Sequence, residues 1–351
     1  MTDDLTLKAG GLDISGWNSI RVTRGVERMP SDFTLSMTER YPGELDFMVK
    51  PGDTCQVLLG KDLVVSGYID RYALTIENGR HIIDVIGRGR CADIVDCAAT
   101  WPGMQISATN ALDVAQKLAK PYSITAKNIS DAGPRIPLFP LTLGETAYSV
   151  IEKVCRFAAL LVYEDVDGNI VLSRVGSSRA ASGFKQGVNV QSATLTYSMD
   201  QRYSEYDCGM SSMASLADMG DAWMLRYKAK DNGVPRFRNK VLTVEVGSAG
   251  IEVTKQRAEW ERARRFGRSF QLNLVTDSWR DSAGDLYTPN SLIDLSLPLL
   301  KCDGVTWVIS EVTYKLDDSS GTTCELTIMP KEAFSVEPQL LQPLNADVHI
   351  G

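Results

Sequence analysis

The sequence predicts a mainly β protein with α+β parts: two similar β-barrel domains, an α+β domain between them, and an inserted segment with a helix. Three observations carry that prediction. Short runs rich in Val, Ile, Leu and Thr, punctuated by Gly, Pro and Asp, fill residues 1–97 and return from residue 188. Two amphipathic helical patterns lie between those regions. The two β regions also share one spaced pattern of apolar residues.

In chain order, Ser19–Thr23, Phe33–Met37 and Cys55–Leu59 read as strands. A long hairpin follows, from Leu63 to Glu77 and back from His81 to Ile86. Its turn is Asn78-Gly79, a pair suited to the positive φ that a tight hairpin requires. Cys91–Ala98 reads as a short helical turn, and residues 98–187 as the α+β domain. There Thr109–Leu118 forms a helix with Leu112, Ala115 and Leu118 on one face, closed by Pro121. A loop with Pro134, Pro137 and Pro140 leads to a second helix over Glu145–Ala158, opened at Thr142 or Gly144. It carries Ala147, Val150, Ile151, Val154 and Phe157 inward. Leu160–Tyr163 and Ile170–Leu172 then form a hairpin around Asp165–Asn169. That turn lacks most of the ligands of a calcium loop, including the glutamate at its twelfth position, and reads as a plain turn. Residues 188–220 and 268–332 make the second barrel, with strands at Val190–Tyr197, Ser291–Leu297, Val305–Lys315 and Thr323–Met329. Residues 221–267 are the insertion with its helix, completed by a C-terminal arm at 333–351.

The repeat is explicit in the residues. Pro51-Gly52-x-x-Cys55-x-Val57-x-Leu59 matches Pro289-Asn290-x-x-Ile293-x-Leu295-x-Leu297. Val65-x-x-x-Ile69 then aligns with Val308-x-x-x-Val312, and Ile83-x-Val85 with Leu326-x-Ile328, with five more residues in the second copy's loop. Three chains in a ring would present six similar barrels, so a trimer could meet a six-fold partner.

Composition narrows the chemistry. With 351 residues, 44% hydrophobic, 23% charged and a net charge of -7, the chain is ordinary for a packed globular protein. Its acidity argues against a general nucleic-acid binder. No run approaches the roughly 18–20 apolar residues of a membrane helix, so no membrane insertion is expected. Met1-Thr2-Asp3-Asp4 shows no secretory signal. The seven cysteines are widely spaced, with no C-x-x-C, and read as free thiols; no metal or other cofactor is expected. Only two histidines exist. His349 is near the C-terminus and His81 lies in a strand, so a histidine-based nucleophilic site would depend on His81. Phosphate-loop, zinc-protease and nucleophile-elbow motifs are missing, and no enzyme activity is expected.

Several stretches together resemble the tail hub protein family of Mu-like contractile-tailed bacteriophages. They are Gly16-Trp17-Asn18-Ser19-Ile20-Arg21-Val22-Thr23-Arg24-Gly25-Val26-Glu27, Ser66-Gly67-Tyr68-Ile69-Asp70, Gly87–Ala98, and Arg202-Tyr203-Ser204-Glu205-Tyr206. The family is similar to the hubs of other myophages and to the hub part of type VI secretion spike proteins. The resemblance implies a homotrimeric ring of two barrels per subunit in the baseplate of a virion tail, assembled in the bacterial cytoplasm. It implies a tail tube protein on one side, a central spike protein on the other, further baseplate proteins around it, and DNA only in passage. A phage-derived secretion or bacteriocin particle would use the same physics. A tail-associated peptidoglycan hydrolase is the distant alternative, and no segment looks like one.

Between Thr254 and Phe270 the inserted helix carries six basic residues against Glu259 and Glu261. Trp260, Ala263 and Gly267 are expected to face inward. Arg257, Arg264, Arg265 and Arg268, with Trp260, form either a solvated face tied by i,i+4 pairs or a basic face that docks an acidic neighbour. The proline-broken C-terminus carries Leu340 and Leu341, read as an arm that lies on a neighbouring subunit. The acidic remainder suggests a ring lumen that repels phosphates.

Overall fold

The computed structural model describes residues 4–38, 49–131, 133, 135–176, 178–211, 224–244 and 251–334. Leu340, Leu341, His349 and nearly all of the expected arm lie outside the described residues. The first β region holds β1 (Leu5–Ala9), β2 (Leu12–Ile14), β3 (Ser19–Gly25), β4 (Asp32–Thr38), β5 (Thr54–Leu59), β6 (Asp62–Glu77) and β7 (Arg80–Gly89). The Asn78-Gly79 turn has the expected positive φ at both positions, 50° and 76°.

The middle region has α1 (Ala92–Asp96), β8 (Gln105–Thr109), α2 (Ala111–Ala119), β9 (Ala126–Asn128), β10 (Ile136–Pro140), α3 (Ala147–Phe157), β11 (Leu161–Glu164) and β12 (Ile170–Ser173). Asn110 caps α2 by accepting the Asp113 N–H at 2.9 Å, and Thr146 caps α3 through Ser149, two residues beyond the expected start. In α2, Ala111, Val114, Ala115, Leu118 and Ala119 are buried while Leu112 is only partly so. The stretch expected to be a proline loop contains β10. It tolerates Pro137 and Pro140 because it is one half of a two-strand sheet with β8, leaving one edge unpaired. The turn at Asp165 is held by its own side chain, which accepts the N–H groups of Asp167 and Asn169 at 3.0 and 2.8 Å.

Next come β13 (Ser178–Arg179), β14 (Phe184–Lys185) and β15 (Ser192–Tyr197). The inserted unit is β16 (Glu205–Ser211), β17 (Met224–Lys230), β18 (Asn239–Val244) and α4 (Ile251–Arg268). The chain returns as β19 (Phe270–Thr276), β20 (Ser291–Leu297), β21 (Cys302–Asp317) and β22 (Gly321–Met329). Phe270, expected at the helix end, starts β19. β16, expected in the second barrel, pairs with β17 and β18 in a separate sheet.

The chain is mainly β, as expected, but the strands of the two expected barrels join into one 14-stranded sheet. Its path runs β15-β19-β22-β21-β3-β4-β7-β6-β5-β1-β2, with β20 beside β21, and does not close on itself among the described residues. The physical reason is the length of β21. Its first half pairs with β20, and its second half, Glu311–Leu316, pairs with β3 from Gly25 to Ile20. One core runs through both halves, from Leu5, Val22 and Phe33 to Trp279, Tyr314 and Ile328.

The internal repeat is real, and it is larger than its sequence pattern. The order β3-β4-β7-β6-β5 recurs as β15-β19-β22-β21-β20. Both long hairpins contain the same two irregularities. One extra residue, Val64 or Gly304, bulges opposite Val57/Leu58 or Leu295/Ser296. Another, Asp70 or Ser310, bulges after Ile69 or Ile309. Gly52 and Asn290 both have positive φ, and their N–H groups donate to Ile69 O (2.7 Å) and Ile309 O (2.9 Å). The first strand therefore aligns as the sequence suggests, Cys55 with Ile293. The hairpin does not: Ile69 matches Ile309, not Val312, and Val85 matches Leu326, not Ile328. Period-2 patterning cannot see a bulge, so it slipped the register. The inserted unit sits between β15 and β19, where the first copy has only the short turn between β3 and β4.

Buried Glu164 ties the middle region to the first module. It accepts the N–H groups of Ser31 and Cys91 at 2.8 and 2.9 Å, and a Cβ on Gly89 would lie 2.1 Å from its carboxylate. Burial pushes its carboxyl above the usual 4.5, and the two N–H groups only partly offset that. Its stability contribution is thus largest in acid and is lost as pH rises through the raised value. Glu164→Ala nevertheless leaves two buried donors unpaired. It is expected to cost about 2–5 kcal/mol in denaturant unfolding at neutral pH.

Candidate assembly interface

The inserted helix α4 lies on its three-stranded sheet through a small core of Tyr206, Cys208, Ala229, Leu242 and Ala258. Among the described side chains of α4, Thr254, Ala258, Glu261 and Gly267 are buried. Gly267 packs inward as expected, and a Cβ there would meet Ala333 N at 2.1 Å. Trp260 and Ala263 do not: they are half-buried, because the helix turns its 254–258–261 stripe to the sheet instead.

Three of the four expected arginines converge, and Arg257 does not line their cleft. Arg156 of α3, Arg202, Arg264, Arg265 and Arg268 line one cleft of about 540 Å³ together with Trp260 and Glu261. Their charges are engaged within the chain. Glu261 is 3.6 Å from Arg257 and also pairs with Arg265, the two i,i+4 pairs expected. Arg265 donates to Gln201 O at 2.8 Å, and the guanidiniums of Arg257 and Arg264 lie 4.8 and 5.4 Å from the Trp260 ring centroid. Arg264 (3.2 Å) and Arg268 both reach Glu27, just after β3. Burial and the neighbouring Arg268 hold the Arg264 guanidinium below its usual value, with Glu27 opposing. Glu27 is the acidic partner that the sequence pattern did not mark; 237 residues separate it from Arg264.

A second anchor holds the inserted unit. Arg202 grips Asp231 with two parallel bonds of 2.6 and 2.9 Å, donates to the Tyr197 hydroxyl at 2.7 Å, and lies 4.8 Å from the Phe266 ring centroid. Burial pushes the Asp231 carboxyl up, but Arg202 and the Gly233 N–H outweigh it, so it sits below its ordinary value. Among the described residues, no group of three or more His, Cys, Asp and Glu could hold a metal, and no helix is long and apolar enough to cross a membrane.

Three family models match successive parts of this architecture. The N-terminal domain of the Mu phage baseplate assembly protein GpP-like family matches residues 4–89. The second domain of the baseplate hub protein gp44-like family matches 91–174, and the fourth domain of the Mu phage baseplate assembly protein GpP matches 251–337. The baseplate hub protein gp44 of Escherichia phage Mu is 28% identical over 346 residues, covering 96% of this chain and 90% of its own length. The chain belongs to the baseplate hub family of Mu-like bacteriophages.

As a member of that family it is a component of the phage tail baseplate, and hence of the virion tail. The hub fold is seen in the 43 kDa tail protein of prophage MuSo2 from Shewanella oneidensis. That structure superposes with a TM-score of 0.85 at 25% identity over 95% of this chain and all of that one. A tail protein of Neisseria meningitidis shares the fold at 18% identity and TM-score 0.81, covering 97% and 99% of the two chains. A type VI secretion system component of E. coli shares it more distantly, with TM-score 0.57 at 10% identity over 92% of this chain and 76% of that one. Against this background, the first module and the middle region each correspond to a family domain. The repeated hairpin β21–β22 falls in the last.

Proposed function

We propose that this baseplate hub assembles as a homotrimeric ring that joins the tail tube to the central spike and leaves a channel for DNA, with no catalytic step of its own. The carrying observation is the duplicated five-strand module. Three chains then present six equivalent modules to a six-fold tube while keeping true three-fold symmetry for a spike. The two modules are read as the repeated barrel-like units of that ring, each chain supplying two.

The arginine cleft of α4 is proposed as a contact for another baseplate subunit or the spike, with Trp260, Arg264, Arg265 and Arg268 lining it and Arg257 stacked on Trp260. The Glu27 pairs limit what can be varied without disturbing the fold. Because Glu27, Arg264 and Arg268 are each partly solvated, each pair is worth no more than about 1 kcal/mol, and the neutral pair Arg264→Gln with Arg268→Gln is expected to cost about 1–2 kcal/mol of chain stability. The same pair is expected to weaken assembly on a sizing column; unchanged assembly would remove the cleft from the interface. For the ring itself, electron microscopy of the purified chain is expected to show three-fold particles with a central opening. Compact particles without an opening would count against the reading.

A further inference from the structure

We propose that the edge formed by residues 71–76 of β6 pairs, antiparallel and in a defined register, with β15 of a second copy of this chain. The number of copies rests on the trimeric reading above; the edge and its register rest on the internal repeat.

Within the chain, the two modules meet where the outer half of β21 pairs with β3. Glu311 lies opposite Gly25, Tyr314 opposite Val22, and Leu316 opposite Ile20. That joint is sealed by side chains: Val22, Val312 and Tyr314 are all 0% exposed, and the hydroxyls of Thr23 and Thr313 meet at 3.1 Å. Each half of the joint has a counterpart in the other module. The shared bulge places Ile69 with Ile309, so Arg71–Ile76 corresponds to Glu311–Leu316. The shared pairing of the neighbouring strands places Leu195 with Val22, since Leu195 faces Leu272 as Val22 faces Phe33.

These counterparts do not meet each other in one chain. β15 is an end of the strand path. Past the shared bulge, every residue from Arg71 to Ile76 is exposed, whereas their counterparts from Glu311 to Leu316 are buried or half-buried. Leu74 is 53% exposed and Ile76 83%, at positions equivalent to fully buried Tyr314 and half-buried Leu316. An exposed strand edge with alternate apolar side chains is a template for another strand. The chain already shows which strand the matching edge takes. Copying the joint onto a neighbour puts Leu74 opposite the neighbour's Leu195, and Ile76 opposite its Ala193. This contact is head-to-tail, so repeated about the three-fold axis of the trimer it gives a ring in which joints within chains alternate with joints between chains.

Directly opposed residues of an antiparallel pair have Cα atoms about 4.5–5.5 Å apart, within the range a disulfide spans. Leu74→Cys with Leu195→Cys is therefore expected to form a covalent trimer under mild oxidation by oxidised glutathione. The background is Cys97→Ser, because Cys97 is the exposed native thiol among the described residues. Leu74→Cys with Ser192→Cys is expected to remain uncrosslinked, being about 10 Å out of register. Leu74→Glu with Ile76→Glu, at positions already exposed, is expected to shift the assembled species to monomer without loss of the fold by circular dichroism. A trimer by light scattering that fails to crosslink at 74–195, or crosslinks equally at 74–192, would overturn the edge pairing while leaving the ring. A chain that is monomeric at every concentration and uncrosslinked would overturn both.

Discussion

Asp231→Ala is expected to destabilise the protein by about 3–5 kcal/mol in chemical denaturation, one of the two largest single-residue losses argued from this structure. Arg202 and Asp231 have side chains only 5% and 8% exposed, so each charge depends on the other rather than on water. Removing Asp231 leaves the Arg202 guanidinium buried beside Phe266 with only the Tyr197 hydroxyl to receive it, and it frees the turn that donates the Gly233 N–H to Asp231. The loss is expected to appear first in the inserted unit, because this pair fixes its entry strand to its turn. Two features separate this from a generic packing loss. Replacing both partners, Arg202→Met with Asp231→Leu, should recover a good part of the stability, since a buried pair costs desolvation that two apolar groups do not. The difference between wild type and Asp231→Ala should also shrink in acid. The Asp231 carboxyl sits below its ordinary 3.8, so its contribution is fully present above that value and is lost as pH falls through the lower folded one.

Trp279→Ala is expected to cost a similar amount, about 3–5 kcal/mol. Trp279 is the largest fully buried side chain of the core, edge-on to Tyr314 with ring centroids 6.3 Å apart. Its indole N–H donates to two carbonyls at once, Lys315 O at 3.1 Å and Thr323 O at 2.9 Å. Those residues face each other across β21 and β22, at the height where the other edge of β21 receives Arg21 of β3. The indole thus clamps β21 to β22 beside the joint with β3, as well as filling the core. Trp279→Phe separates the two roles. It keeps most of the volume and removes the donor, so it should cost roughly 1–3 kcal/mol. Equal losses for the Ala and Phe variants in denaturant titrations would mean the hydrogen bonds dominate over the cavity.

Local elements were legible in the sequence where one physical rule decides them. Asn78-Gly79 marks its hairpin because few other pairs adopt positive φ twice. The helical faces of α2 and α3 follow from spacing alone, apart from the half-buried Leu112 and Phe157. The pair Arg257–Glu261 follows from helix geometry. What was not legible depends on residues far apart in the chain. The joining of two expected barrels into one sheet requires the pairing of Tyr314 with Val22, which no local pattern signals. The repeat was detected, but its register slipped because two bulges add residues that alternation does not count. The outward face of the 71–76 edge was invisible for a related reason. Tyr72, Leu74 and Ile76 recur at every second position as buried residues do, and their exposure is apparent only beside their buried counterparts.

At the cleft, the sequence brings Arg264, Arg265 and Arg268 to attention without showing the distant partner Glu27. A count of six basic residues against two acidic ones suggests a free positive face. The fold spends much of that charge internally, on Glu261 and on Glu27 at the far end of β3. This is why charge reversal at Arg265, held to both Glu261 and Gln201, would report on folding, and why Arg264 and Arg268 are the better probes of assembly.

The central claim is that two copies of one module per chain close into a three-chain ring, and its most direct test is the mass of the purified protein in solution by light scattering across a wide concentration range. The account predicts a particle of three 38.5 kDa chains, 115.5 kDa, with mass that does not grow beyond closure. A mass of 38.5 kDa at every concentration, or open-ended growth without a plateau, would contradict it.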